Sequence, residues 1–231
     1  PKKLKKKNEY SVQVSPGNTV QVSPHLTLRI ALSVHAKAYD PLGFVLPCKM
    51  IGSLLLRLSI QVLRKEAQGP VPWDQVVDGD LLRRWSDYFS MLVTLKDVKF
   101  PRSFKPANCD PDVEPDLVMF SDGNPDSFGT CAYAVWTLMD GSRQAVLLMS
   151  RAKLSTVLQK GEAVRNELSG AVFSCRLKEW ILRNSGVKFK QHYAFVDSKI
   201  VQAMIQKTSY GYSTFAGLRV GEIQLKSDPR A

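Results

Sequence analysis

The stretch Leu117-Val118-Met119-Phe120-Ser121-Asp122-Gly123 decides how the fold of this chain is interpreted. Its first four residues are apolar and predict a short buried strand. The strand ends in Ser-Asp-Gly, so a carboxylate lies where a buried strand enters a turn. Burying such a carboxylate is costly unless a cation or a hydrogen-bond donor meets it. Taken alone, Asp122 is most simply a turn residue that accepts backbone N–H bonds.

The residues that follow predict an antiparallel meander and then a long helix. Residues 128–137 alternate in polarity and size, Asp140-Gly141 is a hairpin signal, and residues 144–149 form a third strand. A helix is predicted over about residues 160–184, because apolar residues recur on one face. These residues are Val164, Leu168, Ala171, Cys175 and Leu182.

A second apolar stretch, Tyr193-Ala194-Phe195-Val196, also closes on an aspartate, Asp197. Ser198 is a suitable N-cap for a helix after it. The predicted order is therefore β-β-β-α-β-α, an α/β fold with a mixed sheet in which the fourth strand pairs parallel with the first. In that arrangement Asp122 and Asp197 emerge at the same edge of the sheet, with Glu167 of the long helix between them.

Three converging carboxylates repel one another and are tolerated when cations neutralise them. Ligand sets made only of carboxylate oxygens select hard ions, so Asp122, Glu167 and Asp197 predict a site for Mg²⁺ or Mn²⁺. Two such ions about 3.5–4 Å apart form the arrangement that hydrolyses phosphodiesters. Considered separately, each residue is more simply a capping or surface carboxylate.

The first half of the chain is predicted to be mainly helical. Apolar spacing predicts helices over residues 26–39, from Pro47 to residues 68–70, and over residues 78–92. Residues 101–116 hold four prolines and acidic spacers, and they predict a linker between domains. The predicted organisation is a basic tail and hairpin over 1–24, a helical segment over 25–100, this linker, and a second domain over 117–231.

Charge and cysteine content limit the partners and the compartment. The net charge is +11, and +6 remains without the five lysines of residues 2–7. A basic chain suits nucleic acid first and an acidic membrane surface second. Four dispersed cysteines predict a reducing, intracellular location, either cytoplasmic or nuclear. No uninterrupted apolar run reaches about 18 residues, so no transmembrane helix is expected, and nucleic acid rather than a membrane is the predicted partner.

Several segments resemble a known family. The segments Ser121-Asp122, Asn166-Glu167-Leu168-Ser169-Gly170-Ala171 and Val196-Asp197-Ser198 look like the first three acidic motifs of the ribonuclease H fold. Further segments resemble the "FDPLG…P", "IPR" and "NRVxEI" segments of BEL/Pao-type LTR retrotransposon polyproteins. These are Ala38-Tyr39-Asp40-Pro41-Leu42-Gly43-Phe44 with Pro47, Phe100-Pro101-Arg102 after Trp85, and Leu218-Arg219-Val220-Gly221-Glu222-Ile223-Gln224.

The resemblance implies a reverse-transcriptase thumb or connection segment followed by a ribonuclease H-like domain. Asp122, Glu167 and Asp197 would then bind Mg²⁺ or Mn²⁺ and cut the RNA strand of RNA–DNA hybrids. The chain would belong to a longer polyprotein with reverse transcriptase and integrase.

The sequence also departs from the family pattern. No Tyr-x-Asp-Asp motif occurs, so DNA synthesis is not expected. The family's "SDAS" reads Ser121-Asp122-Gly123-Asn124, and its "RLEL" reads Arg165-Asn166-Glu167-Leu168. Ribonuclease H sites use a fourth acidic residue from a later helix. Asp228 lies in a predicted turn, so a C-terminally truncated site is expected.

Two alternatives stay open. The chain is either a nuclease or a catalytically incomplete remnant that binds nucleic acid. An aspartic peptidase is a third hypothesis, since that activity is sometimes attributed to this region of retroelements. Such enzymes use Asp-Thr/Ser-Gly turns, whereas here the hydroxyl residue precedes Asp122.

Overall fold

The structure, a computed structural model, describes residues 9–11, 25–156 and 162–228. The predicted basic tail and most of the predicted hairpin, residues 1–8 and 12–24, lie outside the described residues. The chain divides into two units, Pro1–Pro41 with Val45–Arg102 and Leu42–Phe44 with Ser103–Ala231. The first unit is mainly helical, as predicted, and the second contains a mixed sheet with helices.

Three helices form the first unit. Thr27 caps the first helix, because its hydroxyl accepts a hydrogen bond from the backbone N–H of Ile30 at 3.3 Å. The second helix has Pro47 in its first turn, where proline fits, and it ends at Gln68 in the left-handed region with φ of 50°. The elements are α1 (Leu28–Ala36), α2 (Leu46–Ala67), α3 (Gly79–Thr94), a 3₁₀ turn (Leu95–Asp97), and the antiparallel strands β1 (Glu9–Ser11) and β2 (Lys99–Pro101).

Trp85 lies at the centre of the first unit's core. Its side chain is fully buried and packs against Tyr88 and Phe89, with ring centroids 5.8 and 5.4 Å away. The indole N–H donates to the Ser59 hydroxyl at 3.0 Å, and that hydroxyl donates to the Leu55 carbonyl at 2.9 Å. Every polar group of this chain of bonds is therefore paired inside the core.

A polar network joins all three helices of the first unit. The Tyr88 hydroxyl lies 2.6 Å from Nδ1 of His35, and the Ser53 hydroxyl lies 3.3 Å from Nε2 of the same ring. Gly52 makes room for Tyr88, because a Cβ at Gly52 would lie 2.3 Å from the tyrosine ring. Burial raises the pKa of Tyr88, so its hydroxyl keeps its proton at neutral pH.

Protonation of His35 is expected to destabilise the first unit. Burial first, and then the charge of Lys49, lower the pKa of His35 from its usual 6.5. The unfolded chain therefore binds the proton at higher pH than the folded chain, and the free energy of unfolding falls as the pH drops below 6.5. Urea unfolding, followed through NMR signals of α1 and α3, measures this dependence. The dependence should be shallower in His35→Gln, and an identical dependence would contradict the assignment.

Helix α2 bears on the expectation that the chain has no membrane-spanning helix. By length and composition alone it is able to cross a membrane, with a mean hydropathy of 1.4 over its best 18 residues. Lys49 and Arg57 interrupt its apolar sequence, so a search for uninterrupted apolar runs misses it. One such helix is weak evidence, because core helices pass the same test, and α2 supplies Leu55 and Leu63 to the core.

The second unit contains a four-stranded sheet in the order β5-β4-β3-β6. The first three strands form the predicted antiparallel meander, and β6 pairs parallel with β3. This confirms the predicted mixed-sheet α/β fold. The bounds are β3 (Asp116–Gly123), β4 (Ser127–Thr137), β5 (Arg143–Leu154), α4 (Ala163–Asn184), β6 (His192–Val196), α5 (Lys199–Gln206) and α6 (Thr214–Lys226).

Helix α4 covers one face of the sheet. Leu168, Ala171 and Cys175 are buried, as predicted, but Val164 and Leu182 are 38% and 39% exposed. These two residues lie in the first and last turns of the helix, where fewer residues cover the same face. Helix α6 was not predicted, and its Val220 and Ile223 pack with Leu168 and Cys175 in one cluster.

The segment Leu42–Phe44 adds to the edge strand of the second unit. The backbone N–H of Ser150 in β5 donates to the Leu42 carbonyl at 2.8 Å, and the Ser150 hydroxyl donates to the Gly43 carbonyl. Gly43 has φ of +76°, and a Cβ there would lie 2.1 Å from the Ser150 carbonyl oxygen. Only glycine satisfies both conditions, which gives the Asp-Pro-Leu-Gly segment a structural reason.

The proline-rich residues after Arg102 contain neither a helix nor a long strand. Cys109 forms an isolated antiparallel bridge with Leu138, and the Asp110 N–H donates to the Thr137 carbonyl at 2.9 Å. These bonds attach the segment to the end of β4. The predicted domain limits of residues 101–116 stay a prediction.

Candidate active site

Strand register brings Asp122 and Asp197 next to each other. The parallel ladder between β3 and β6 pairs Ser121 with Val196 as its last recorded pair. Asp122 is the next residue of β3, Asp197 directly follows the end of β6, and both are exposed. Ser198 then caps α5, because its hydroxyl accepts from the Val201 N–H at 3.3 Å, as predicted. The cap turns the chain away from the sheet directly after Asp197.

Two glycines bring Glu167 to the same place. A Cβ on Gly123 would lie 2.3 Å from the Glu167 backbone nitrogen and 2.3 Å from the Asn166 carbonyl carbon. A Cβ on Gly170 would lie 2.9 Å from the Asp122 carbonyl oxygen. All three distances are shorter than van der Waals contact, so the backbone of α4 packs directly on the end of β3. The backbone of Glu167 therefore lies beside Gly123, the residue that follows Asp122.

Asn166 holds the end of β3 and the start of α4 together. It was not predicted as a site residue. Its side chain is fully buried, and its amide donates to the carbonyls of Asn124 at 2.8 Å and Pro125 at 3.3 Å. These bonds join the turn after β3 to the start of α4. The signal in the sequence is a polar residue where the family's "RLEL" segment has leucine.

The carboxylates of the site differ in their hydrogen bonding. Oδ1 of Asp122 accepts from the Gly123 backbone N–H at 2.6 Å. Oε2 of Glu167 is buried and has no hydrogen-bond partner in the described parts of the chain, which is costly for a carboxylate oxygen. A cation at this oxygen would remove the cost. Carboxylate oxygens are also the ligands that Mg²⁺ and Mn²⁺ prefer, so the residues present fit such an ion.

The side chains do not form a complete ligand cluster. Across the described ranges of the chain, no group of three or more His, Cys, Asp or Glu side chains is gathered so that it could hold a metal ion. The backbone thus brings Asp122, Glu167 and Asp197 to one edge of the sheet, while their carboxylates do not converge as a trio. Their metal-binding role stays a prediction.

Aromatic side chains lead along one face of the sheet toward the two aspartates. The Phe120 and Phe195 rings are stacked, with centroids 5.3 Å apart, and the Tyr133 ring meets Phe120 edge-on. Phe120 and Asp122 lie two residues apart in β3 and so share a face, and Phe195 precedes Asp197 by two residues at the end of β6. Burial raises the pKa of the neighbouring Cys131 thiol, which makes it a poor nucleophile.

Comparison with known protein families shows which family this chain belongs to. Residues 27–198 match the family described as the Pao retrotransposon-like RNaseH-like domain. The chain belongs to the Pao retrotransposon-like RNaseH-like domain family. The match covers Asp122, Glu167 and Asp197, and it confirms the resemblance to BEL/Pao retrotransposons. The protein is therefore a ribonuclease H-like domain of a retroelement. No curated protein matches this Pao-type chain.

Two solved structures resemble the Pao-type chain at low similarity. The native crystal structure of prototype foamy virus protease-reverse transcriptase is 12% identical, with a TM-score of 0.30, over 76% of this chain and 28% of that one. The foamy viral protease-reverse transcriptase in complex with dsDNA is 13% identical, with a TM-score of 0.29, over 97% of this chain and 41% of that one. The Pao-type chain thus spans less than half the length of either protein.

Proposed function

We propose that this domain hydrolyses the RNA strand of RNA–DNA hybrids with the help of Mg²⁺ or Mn²⁺. The observation that carries the proposal is the junction of β3, β6 and α4. Register makes Asp122 and Asp197 neighbours, and the contact at Gly123 brings Glu167 beside them. The buried Oε2 of Glu167 adds a ligand atom that has no hydrogen-bond partner among the residues that the structure describes.

Each residue has a definable part in this proposal. Asp122, Glu167 and Asp197 would hold the ions, and Asn166 and the Gly123 N–H would keep Glu167 and Asp122 in position. The ions would lower the pKa of a bound water and neutralise the charge on the leaving oxygen. Three carboxylates brought to one place repel one another, so the proposed site depends on the ions.

Cleavage of a labelled hybrid tests the proposal. The protein is incubated with an RNA–DNA hybrid in Mg²⁺, in Mn²⁺ and in EDTA. We expect cleavage of the RNA strand with either ion, and a loss on the order of 10²–10³ in rate for Asp122→Asn, the size seen when one electrostatic stabiliser is removed. Asp112→Asn is the matched control, since Asp112 is exposed and lies outside the site. Absence of cleavage, or equal rates for Asp122→Asn and the parent, would reject the catalytic proposal.

A second function is non-catalytic binding of nucleic acid. The net charge of +11 supports it, as does the lack of a converged cluster among the described carboxylates. Binding without cutting, with affinity that falls steeply as salt rises, is then expected. Absence of binding at low salt would reject both functions.

We further propose that the domain acts inside the cell, in the cytoplasm or the nucleus. It would do so as part of a longer polyprotein with reverse transcriptase and integrase. Membership of a retroelement family supports this context. The first unit would then serve as the thumb or connection segment of the reverse transcriptase.

A further inference from the structure

A cleft of about 400 Å³ lies between the sheet and helices α4 and α6 of the second unit. Phe128, Val172 and Leu218 line its apolar walls. Three cationic side chains, Lys153, Arg176 and Arg219, line it together with one carboxylate, Glu222. Cations outnumber carboxylates three to one, so the cleft favours an anion.

The single carboxylate is already used. Arg176 donates two hydrogen bonds of 2.7 Å to the two carboxylate oxygens of Glu222, in a bidentate pair. Lys226 approaches the same carboxylate at 3.7 Å. Neither Lys153 nor Arg219 forms an ion pair with the part of the chain that the structure describes. Two cations of the cleft are therefore outside the ion pairs of the described residues, and Glu222 acts on Arg219 only from a distance.

Arg219 is held firmly in this position. Its guanidinium lies 3.5 Å from the centre of the Phe215 ring and donates to the Phe215 carbonyl at 3.0 Å. Arg165 approaches the same ring at 5.1 Å. Burial first, and then the charges of Arg176 and Arg165, lower the pKa of Arg219, while Glu222 acts in the opposite direction. Crowded cations of this kind gain from an anion that neutralises them.

The cleft lies at the same end of the sheet as the candidate active site. Phe128, on its wall, pairs with Gly123 in the ladder between β3 and β4. Ser169, also on its wall, lies two residues after Glu167 on α4. A polyanion that crosses the end of the sheet at Asp122 is thus able to reach both places.

We propose that this cleft binds a backbone phosphate of the nucleic acid, through Lys153 and Arg219. This proposal rests on the proposed binding of nucleic acid, and it identifies one of the contacts that the nucleic acid would make. The walls beside the cations are apolar, so a phosphate there is attracted to the cations more strongly than it would be in bulk water. The Phe215 ring keeps the Arg219 guanidinium in place, which reduces the entropy lost on binding.

Salt dependence of binding tests this contact. Affinity for a labelled RNA–DNA hybrid is measured in EDTA over a range of salt concentrations. For Lys153→Gln/Arg219→Gln we expect weaker binding and a slope of log affinity against log salt that is shallower by about 0.9 for one lost phosphate contact. The matched control is Arg183→Gln/Lys188→Gln, which removes two exposed cations outside the cleft. If replacing Arg219 impairs folding, the same salt dependence is measured on the single variant Lys153→Gln.

Titration with inorganic phosphate separates this proposal from the proposed function. NMR signals of the cleft residues should shift in the parent protein and stay unchanged in the double variant. If the parent binds hybrid but the double variant keeps the parent's slope, the phosphate contact is overturned while nucleic-acid binding stands. Shifts with inorganic phosphate and an unchanged slope would show a site for free anions only and would also overturn the proposal. If the parent binds no hybrid, the proposed function fails and the backbone contact fails with it.

Discussion

Replacing Gly123 with alanine is expected to push helix α4 away from strand β3. The added methyl group would lie 2.3 Å from two backbone atoms of Asn166 and Glu167, and neither atom belongs to a side chain that could turn aside. Overpacking of this kind costs about 1–3 kcal/mol. We expect the upper end of that range, because the helix backbone itself has to move.

The same change should reduce cleavage of the hybrid, if the domain cleaves it. Asp122 and Glu167 depend on this contact for their proximity, and small displacements of catalytic groups cost about 10²-fold in rate. The unfolding free energy from urea titration and the cleavage rate are the two measurements. Both should fall together in Gly123→Ala.

Gly221→Ala is the matched control for this experiment. Gly221 lies inside helix α6, and a Cβ there would come no closer than 3.8 Å to its neighbours. Alanine is favoured over glycine in a helix by about 1 kcal/mol, so this variant should be equally stable or more stable. Equal destabilisation by the two changes would contradict the close contact assigned to Gly123.

Replacing Trp85 with alanine is expected to have the largest effect on the first unit. The side chain is fully buried, packs on two aromatic rings and donates to Ser59. Removal of a buried tryptophan of this kind costs about 3–5 kcal/mol, which is a large fraction of the stability of a typical domain. It also leaves the Ser59 hydroxyl with one partner fewer in the core.

The effect of Trp85→Ala is measured by urea unfolding with NMR signals from α1 and α3, which report on the first unit. Trp180→Ala is the matched control, because Trp180 is 45% exposed and belongs to the second unit. In Trp180→Ala, the α1 and α3 signals should give the same urea midpoint of unfolding as in the parent protein. A midpoint for Trp85→Ala close to that of the parent protein would contradict the core assigned here.

The pairing of β3 with β6 was predictable because two apolar stretches end in the same way. Leu117–Phe120 is followed by Ser121 and Asp122, Tyr193–Val196 is followed directly by Asp197, and the chain between the two stretches ends with a long helix. A crossover of that kind is typical of parallel strands, and parallel pairing then sets Asp122 beside Asp197. The local sequence pattern and the topology agree here, so the sequence alone was enough to predict that β3 and β6 pair in parallel.

Other parts of the fold depend on contacts that no local pattern reveals. Helix α6 has glycines at 217 and 221, which lower its helix propensity, and it is stabilised by packing of Val220 and Ile223. The closeness of Gly123 to the backbone of Glu167 is likewise a tertiary contact. Convergence of three carboxylates is a matter of side-chain conformation and local charge, and strand order alone does not determine it.

The pairing of β3 with β6 also has a consequence for the order of folding. Leu117 and His192 are partners in the ladder although 75 positions separate them in the chain. Closing so long a loop has an entropic cost that must be met before the pairing contributes any stability, and contacts between distant residues therefore form late. The hairpins β3–β4 and β4–β5 involve near neighbours and are able to form first. Asp197 thus reaches Asp122 only after the strands and helix between them have folded.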